Sequence, residues 1–209
     1  MHSPSQFRIK DHKILIQFIK ENAFASLITS ANPFPLASQI PIEVVDESDV
    51  LFLYGHVSAA NPQAEIFKQE NVASLAIFNA GHSYVSSSWY EQENVSTWNY
   101  RSVQVKGFIN PLLDEDLRSH LIRMQAKYEK EQANPRTVET MSKEYFEKQV
   151  KGVRGFSMKI SSVEGSWKLS QNRNEKDFQN IIVELEKQND ANATEIACEM
   201  KKLNLNKKS

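Results

Sequence analysis

A single cysteine, Cys198, in a chain of 209 residues leaves no partner for an internal disulfide and too few thiolates for a zinc site. Glycine is equally sparse, at six residues. None of them falls into a GxGxxG or GxxxxGK(S/T) pattern, and the nearest approach, "GVRG" at 152–155, has the wrong spacing, so a glycine-rich phosphate loop is excluded. No GxSxG elbow is present, and His2, His12, His56, His82 and His120 are scattered, so the expected catalytic set and the expected metal set are both empty. Long hydrophobic runs are also missing. The stretch 23–29 falls far short of the ~20 apolar residues that span a bilayer, which predicts a soluble chain without a membrane partner. The opening "MHSPSQFRIKDHK" has no basic segment followed by an apolar one, and a cytoplasmic location is expected. Nor is there an excess of one charge: the net charge is −1, which lacks the basic footprint usual for nucleic-acid binding. Lys148, Lys151, Arg154 and Lys159 lie close in sequence, but Glu144 and Glu147 precede them, and a solvated face of mixed sign is expected there.

What is present is β-rich in the first half and helical in the second. Asp11 is placed to cap a helix through "HKILIQFIKEN", with Ile14, Leu15, Phe18 and Ile19 as its apolar stripe. Strands are expected in "AFASLITS", "LASQIPIEVV" and "VLFLYGHV", then a short helix capped by Ser58 or Asn61. "NVASLAIFNAG", the segment 82–90 and a long run from Val95 to Phe108 continue the β pattern. Helices follow from Asp114, where Leu117, Leu121, Met124 and Tyr128 share a face, and from about Val138 to Val150. A strand through "GVRGFSMKISSVEG" precedes two last helices, one capped by Asn174 and one around Thr194 to Leu203. Short strands bounded by turn signals point to a closed or nearly closed antiparallel barrel in an α+β fold.

The segment "HSYVSSSWYEQENVSTWNY" (82–100) concentrates hydroxyls and aromatic rings. Read as a strand, it puts His82, Tyr84, Ser86, Ser88 and Tyr90 on one face and Ser83, Val85, Ser87 and Trp89 on the other, so both faces carry polar groups. That suits the wall of a polar cleft; an amphipathic edge strand with its serines in water is the alternative. Indoles and phenols offer flat apolar surface with one polar handle, which suits stacking on a planar heteroaromatic ring. "KLSQNR" (168–173) packs Lys168, Gln171, Asn172 and Arg173 behind Trp167, either as a phosphate contact or as a helix-capping turn.

Four separated blocks, "GHVSAANPQ" (55–63), "FNAGHSYVSSSWY" (78–90), "STWNY" (96–100) and "GSWKLSQNR" (165–173), together with the leading "FASL", resemble the PaiB-type FMN-binding negative transcriptional regulators over roughly residues 4–188. The resemblance implies an antiparallel split β-barrel with peripheral helices over 1–188, and a helical C-terminal tail over 189–209 packed on the barrel or on a partner subunit. It further implies a homodimer with FMN in the interface cleft, acting on transcription through DNA or through another regulatory protein. Carried over by position, the cleft-lining candidates are His56, Asn61, His82, Tyr84, Ser88, Trp89, Thr97, Trp98, Asn99, Tyr100, Lys168, Gln171, Asn172 and Arg173. A flavin-dependent oxidoreductase using the same cleft is the rival expectation, and a ligand-free dimeric interaction module is the third.

Overall fold

The computed structural model describes residues 1–48 and 50–208, with side chains as far as Leu203. Part of the expected C-terminal tail, the side chains beyond Leu203 and all of Ser209, therefore lies outside the described residues. A 3-10 turn at Ser5–Phe7 leads into β1 (Arg8–Ile9) and α1 (His12–Glu21). Then come β2 (Phe24–Thr29), β3 (Leu36–Pro41), β4 (Glu43–Glu47), β5 (Val50–Ser58) and α2 (Gln63–Ile66). The long strands β6 (Val72–Val85) and β7 (Thr97–Leu112) precede α3 (Asp114–Glu129), α4 (Lys143–Lys151), β8 (Val153–Lys168), α5 (Glu175–Glu186) and α6 (Ala191–Lys208). The strands join one sheet in the order β3-β2-β6-β7-β8-β5-β4, with β1 on β8. No helix among the described residues is long and apolar enough to cross a membrane.

Local signals explain most of the helix starts. The Asp11 carboxylate accepts from the Lys13 backbone N–H at 2.8 Å, Asn61 from Gln63 at 2.8 Å, and Asn174 from Asp177 at 2.8 Å. Leu15, Phe18 and Ile19 are buried as the stripe on α1 requires, but Ile14 is 48% exposed and does not belong to it. Other differences have physical causes. The expected second strand is two, because the chain turns at Ile42, whose side chain is buried and whose N–H donates to the Ala23 carbonyl at 2.8 Å. The 72–85 region is one continuous strand rather than two, and it stops at Val85, where Ser86 takes the backbone N–H of Ser88 and starts a 3-10 turn over Ser87–Trp89. The next strand accordingly begins at Thr97 instead of Val95. The helix expected over 138–150 is a 3-10 turn, Val138–Thr140, followed by α4. Glu147 of α4, one-third exposed, bonds Arg118 on α3 at 2.6 Å, and Glu144, Lys148, Lys151, Arg154 and Lys159 are exposed, in keeping with the solvated face of mixed sign expected there.

The chain divides into two compact units, and β6, β7 and β8 run through both. One unit comprises Ile19–Ile77 and Val105–Val163. Its sheet pairs Ser26 with Gln39 and Ile77, and Tyr54 with Glu43 and Ser157, and its interior holds Leu27, Leu53, Phe67, Phe156 and Met158. Gly107 is required here, since a Cβ at that position would stand 2.1 Å from the Lys159 carbonyl oxygen. Gly107→Ala is expected to force β7 and β8 apart and to cost about 2 kcal/mol of stability, read as a lower urea midpoint with an unchanged slope. The other unit comprises Met1–Phe18, Phe78–Gln104 and Glu164–Ser209. Phe78, Val85, Val103, Leu169, Ile181 and Ile196 form its core, and the Phe18 and Trp167 rings meet at 4.8 Å.

Candidate functional site

Twelve of the fourteen candidate residues, all but His56 and Asn61, belong to the unit that holds the ends of β6, β7 and β8. Alternation along β6 buries Gly81, Ser83 and Val85 and turns His82 and Tyr84 outward. Trp98 on β7 is 52% exposed and meets both of them edge to face, His82 at 5.6 Å and Tyr84 at 5.9 Å between ring centroids. Tyr100 is half-buried. Three rings thus form an exposed aromatic patch. Beyond Val85 the expected alternation ends: Ser88 lies in the 3-10 turn, its hydroxyl 2.9 Å from that of Ser86, and Trp89 is half-buried in the same turn.

The second feature is the turn after β8. Ser170 sits at φ 58, a left-handed conformation that costs an L-residue ~1–2 kcal/mol. It is held there by Asn99, fully buried on β7, whose Oδ1 accepts from the Ser170 hydroxyl at 3.0 Å. Gln171 closes the same turn by donating to the carbonyls of Trp167 at 2.7 Å and Gln6 at 3.2 Å while accepting from the Leu169 N–H at 2.7 Å. Asn99 and Gln171 therefore shape the turn, whereas Asn172 is exposed upon it.

So shaped, the turn presents two cations. Lys168 donates to the Thr97 hydroxyl, and the Arg173 guanidinium lies 4.7 Å over the ring of Tyr90. Burial, and then the positive charge of Arg173, lower the pKa of the Lys168 ammonium below the ordinary lysine value. Neither cation has a carboxylate within ion-pairing distance among the described residues. Tyr90, which is not among the fourteen candidates, is buried with its hydroxyl lacking a partner among the described residues. Arg101, next along β7, is by contrast already neutralised by Glu195 at 2.5 Å and Glu199 at 3.0 Å of α6.

The other two candidates lie in the unit of residues 19–77 and 105–163. Asn61 is engaged twice, capping α2 and donating to the Ser38 hydroxyl at 3.0 Å. His56 belongs to a buried chain that sequence reasoning missed. Its Nδ1 lies 3.1 Å from Nε2 of His120, whose Nδ1 lies 3.0 Å from Glu43 Oε2, and Arg123 donates to both oxygens of Glu43 at 2.8 and 3.0 Å. Burial opposes ionisation of Glu43, but the hydrogen bonds from His120 and Arg123 outweigh it and hold the carboxyl below the ordinary range. Burial, and then His120, push His56 down to about 4. The chain joins residues 64 and 77 positions apart, so no spacing in the sequence announces it. Among the described residues no three His, Cys, Asp or Glu side chains are grouped as a metal site.

Comparison with known proteins gives the family and the fold. A family model described as "Putative FMN-binding domain" matches residues 1–162. The protease synthase and sporulation protein PAI 2 of Bacillus subtilis is 35% identical over 198 residues, covering 94% of this chain and 95% of that protein. Among solved structures, the FAD and heme binding protein from Mycobacterium smegmatis superposes with a TM-score of 0.61 at 15% identity, covering 82% of this chain and 78% of that one. The flavocytochrome Anf3 from Azotobacter vinelandii superposes with a TM-score of 0.54 at 16% identity, covering 85% and 78%. At these identities the structural likeness concerns the fold alone, and the fold is the antiparallel split barrel with peripheral helices.

Proposed function

This chain belongs to the FMN-binding domain family, with FMN as its cofactor, and on that premise we propose that it is a homodimeric, PaiB-like negative regulator of transcription whose flavin phosphate is held by Lys168 and Arg173. The observation that carries the reading is the pair of cations without a facing carboxylate, one of them partly desolvated beside the other. Two positive charges held close together are unfavourable alone and favourable around a phosphate dianion. The Thr97 hydroxyl at the start of β7, bonded to Lys168, and the exposed Asn172 amide of the turn add uncharged polar groups. Tyr84 and Trp98 offer exposed flat faces for a planar ring, in the manner of stacking platforms. When bound, FMN supplies a planar redox-active ring and a doubly charged phosphate. The protein's own part is to bind, orient and shield it.

Regulation is favoured by the relative at 35% identity, whose name ties it to protease synthesis and sporulation. Gel shift with DNA from upstream of its own coding sequence tests this reading, and FMN-dependent oxidation of NAD(P)H at enzymatic rates would replace it by the oxidoreductase one. The dimer is supported by the exposed patch of His82, Tyr84 and Trp98, since contiguous exposed aromatic surface marks an interaction site. Trp98→Asp is expected to weaken self-association by about tenfold, roughly 1.4 kcal/mol, read by native mass spectrometry over a dilution series. An unchanged dimer population would remove this patch from the interface.

A further inference from the structure

The unit of residues 19–77 and 105–163 contains a cavity of about 330 Å³ between α3 and α4, independent of the cation pair described above. Its walls are apolar: Pro41, Leu121, Met124, Tyr128, Met141 and Phe146. Gln125 and Glu129 also border it, but both are engaged with Arg136, through its carbonyl at 2.6 Å and its N–H at 2.8 Å. The remaining lining residues are Gln149, exposed on α4, and His56. We propose that this cavity is a binding site for a small, uncharged, largely apolar molecule carrying one O–H or N–H donor, such as a phenol, which His56 Nε2 recognises as acceptor.

The argument is one of proton bookkeeping along a fixed chain. Glu43, clamped by Arg123, is an acceptor, so His120 Nδ1 carries the proton that faces it. In the Nδ1–H tautomer that this carboxylate selects, His120 Nε2 has a lone pair and accepts from the His56 Nδ1–H at 3.1 Å. His56 Nε2 is left as a lone pair with no partner among the described residues. A carboxylate behind two imidazoles fixes the tautomer of the outer ring, as it does for histidines in metal and catalytic sites. The cavity is of the size that holds a small ligand, and an apolar wall with one convergent polar group is the usual composition of such a site. His56 also borders a more polar hollow of about 490 Å³ with Ser38 and Asn61, but those two satisfy each other at 3.0 Å, and Asn61 is further committed to α2. Among the described lining residues Gln149 and Tyr128 are exposed, whereas His56 Nε2 is an acceptor fixed by a hydrogen-bond chain, and a donor there gains more than in water because the bond forms away from competing solvent.

The test uses the full chain, loaded with FMN, labelled with 15N-histidine, and two probes of nearly equal shape, phenol and toluene. Long-range 1H–15N spectra should show His56 as its Nδ1–H tautomer, and phenol should move the unprotonated Nε2 signal toward the hydrogen-bonded position. Toluene should bind at least about tenfold more weakly, the value of one retained hydrogen bond of roughly 1.4 kcal/mol. His56→Phe keeps a flat ring but no acceptor and should abolish the preference for phenol. Met141→Trp, in the loop ahead of α4, should fill the cavity and abolish binding of both probes while leaving the His56 tautomer unchanged. Equal affinities for the two probes, no saturable binding of phenol, an Nε2–H tautomer, or phenol binding that survives Met141→Trp would each overturn the proposal.

Discussion

Replacing both Lys168 and Arg173 by apolar residues of similar length, Lys168→Met with Arg173→Leu, is expected to weaken FMN binding by about 100- to 1000-fold. Charge-assisted hydrogen bonds contribute ~1.5–3 kcal/mol each, and every ~1.4 kcal/mol is tenfold in affinity. Riboflavin supplies the internal control, because it has the ring without the phosphate. Its affinity should change by less than about threefold, so that the preference for FMN over riboflavin collapses. Fluorescence quenching titrations with both ligands, repeated at low and high salt, read this directly. The wild-type preference should shrink as salt rises and that of the double variant should not. The unliganded variant should be no less stable than the wild type, since the lysine ammonium is held below its ordinary pKa by burial and by Arg173 and gains nothing from being charged without an anion. Parallel losses of FMN and riboflavin would mean that the turn collapsed, and unaltered FMN binding would place the phosphate elsewhere.

The contrast between the two units shows what a sequence can announce. Caps at Asp11, Asn61 and Asn174 were legible because the donor and acceptor lie within three residues of each other. The outward facing of His82 and Tyr84 was legible as long as period two held, and it failed at Ser86, where a hydroxyl competes with the ladder for a backbone N–H. The break at Ile42 was invisible, because the β-rich pattern continues through it: Ile42 still bonds the Ala23 carbonyl in the register of β2 and β3, and only from Glu43, which faces Tyr54, does the chain change partner to β5. Composition drew attention to "STWNY" and to "KLSQNR" separately. That Thr97 receives Lys168, and Asn99 receives Ser170, follows from the sheet bringing together residues 71 positions apart. His120 was hidden for a stronger reason: on α3 it occupies the buried stripe beside Leu117 and Met124, where sequence pattern expects an apolar side chain.

That buried histidine chain leads to an expected loss of stability in mild acid. In the folded protein His56 stays neutral down to about pH 4, because burial disfavours the imidazolium and because His120 stands against it; unfolded, it takes up a proton near 6.5. Between those limits the unfolded chain binds a proton that the folded chain refuses, so stability rises with pH there. It is complete above pH 6.5 and drains away as the pH falls toward 4. A difference of this size is worth about 3 kcal/mol, a large share of the 5–15 kcal/mol that holds a domain together. Glu43 adds to the loss at the bottom of the range, since its carboxyl is held below 4.5 by His120 and Arg123 against the cost of its burial, and that stabilisation disappears as the pH falls through its lowered pKa. Urea unfolding across this range should therefore show a midpoint that falls steeply with acid. His56→Gln has nothing to titrate and should remove most of the slope above about pH 4.5 while leaving the contribution of Glu43 below it. Parallel curves for the two proteins would show that the His56 imidazole is hydrated and titrates in the fold as it does outside it, which the 3.1 Å contact with a fully buried His120 makes untenable only if the chain from Glu43 is intact. Glu43→Gln gives the complementary result: the burial that chiefly lowers the His56 pKa remains, so the slope above about pH 4.5 should persist while the contribution of the Glu43 carboxyl below it disappears.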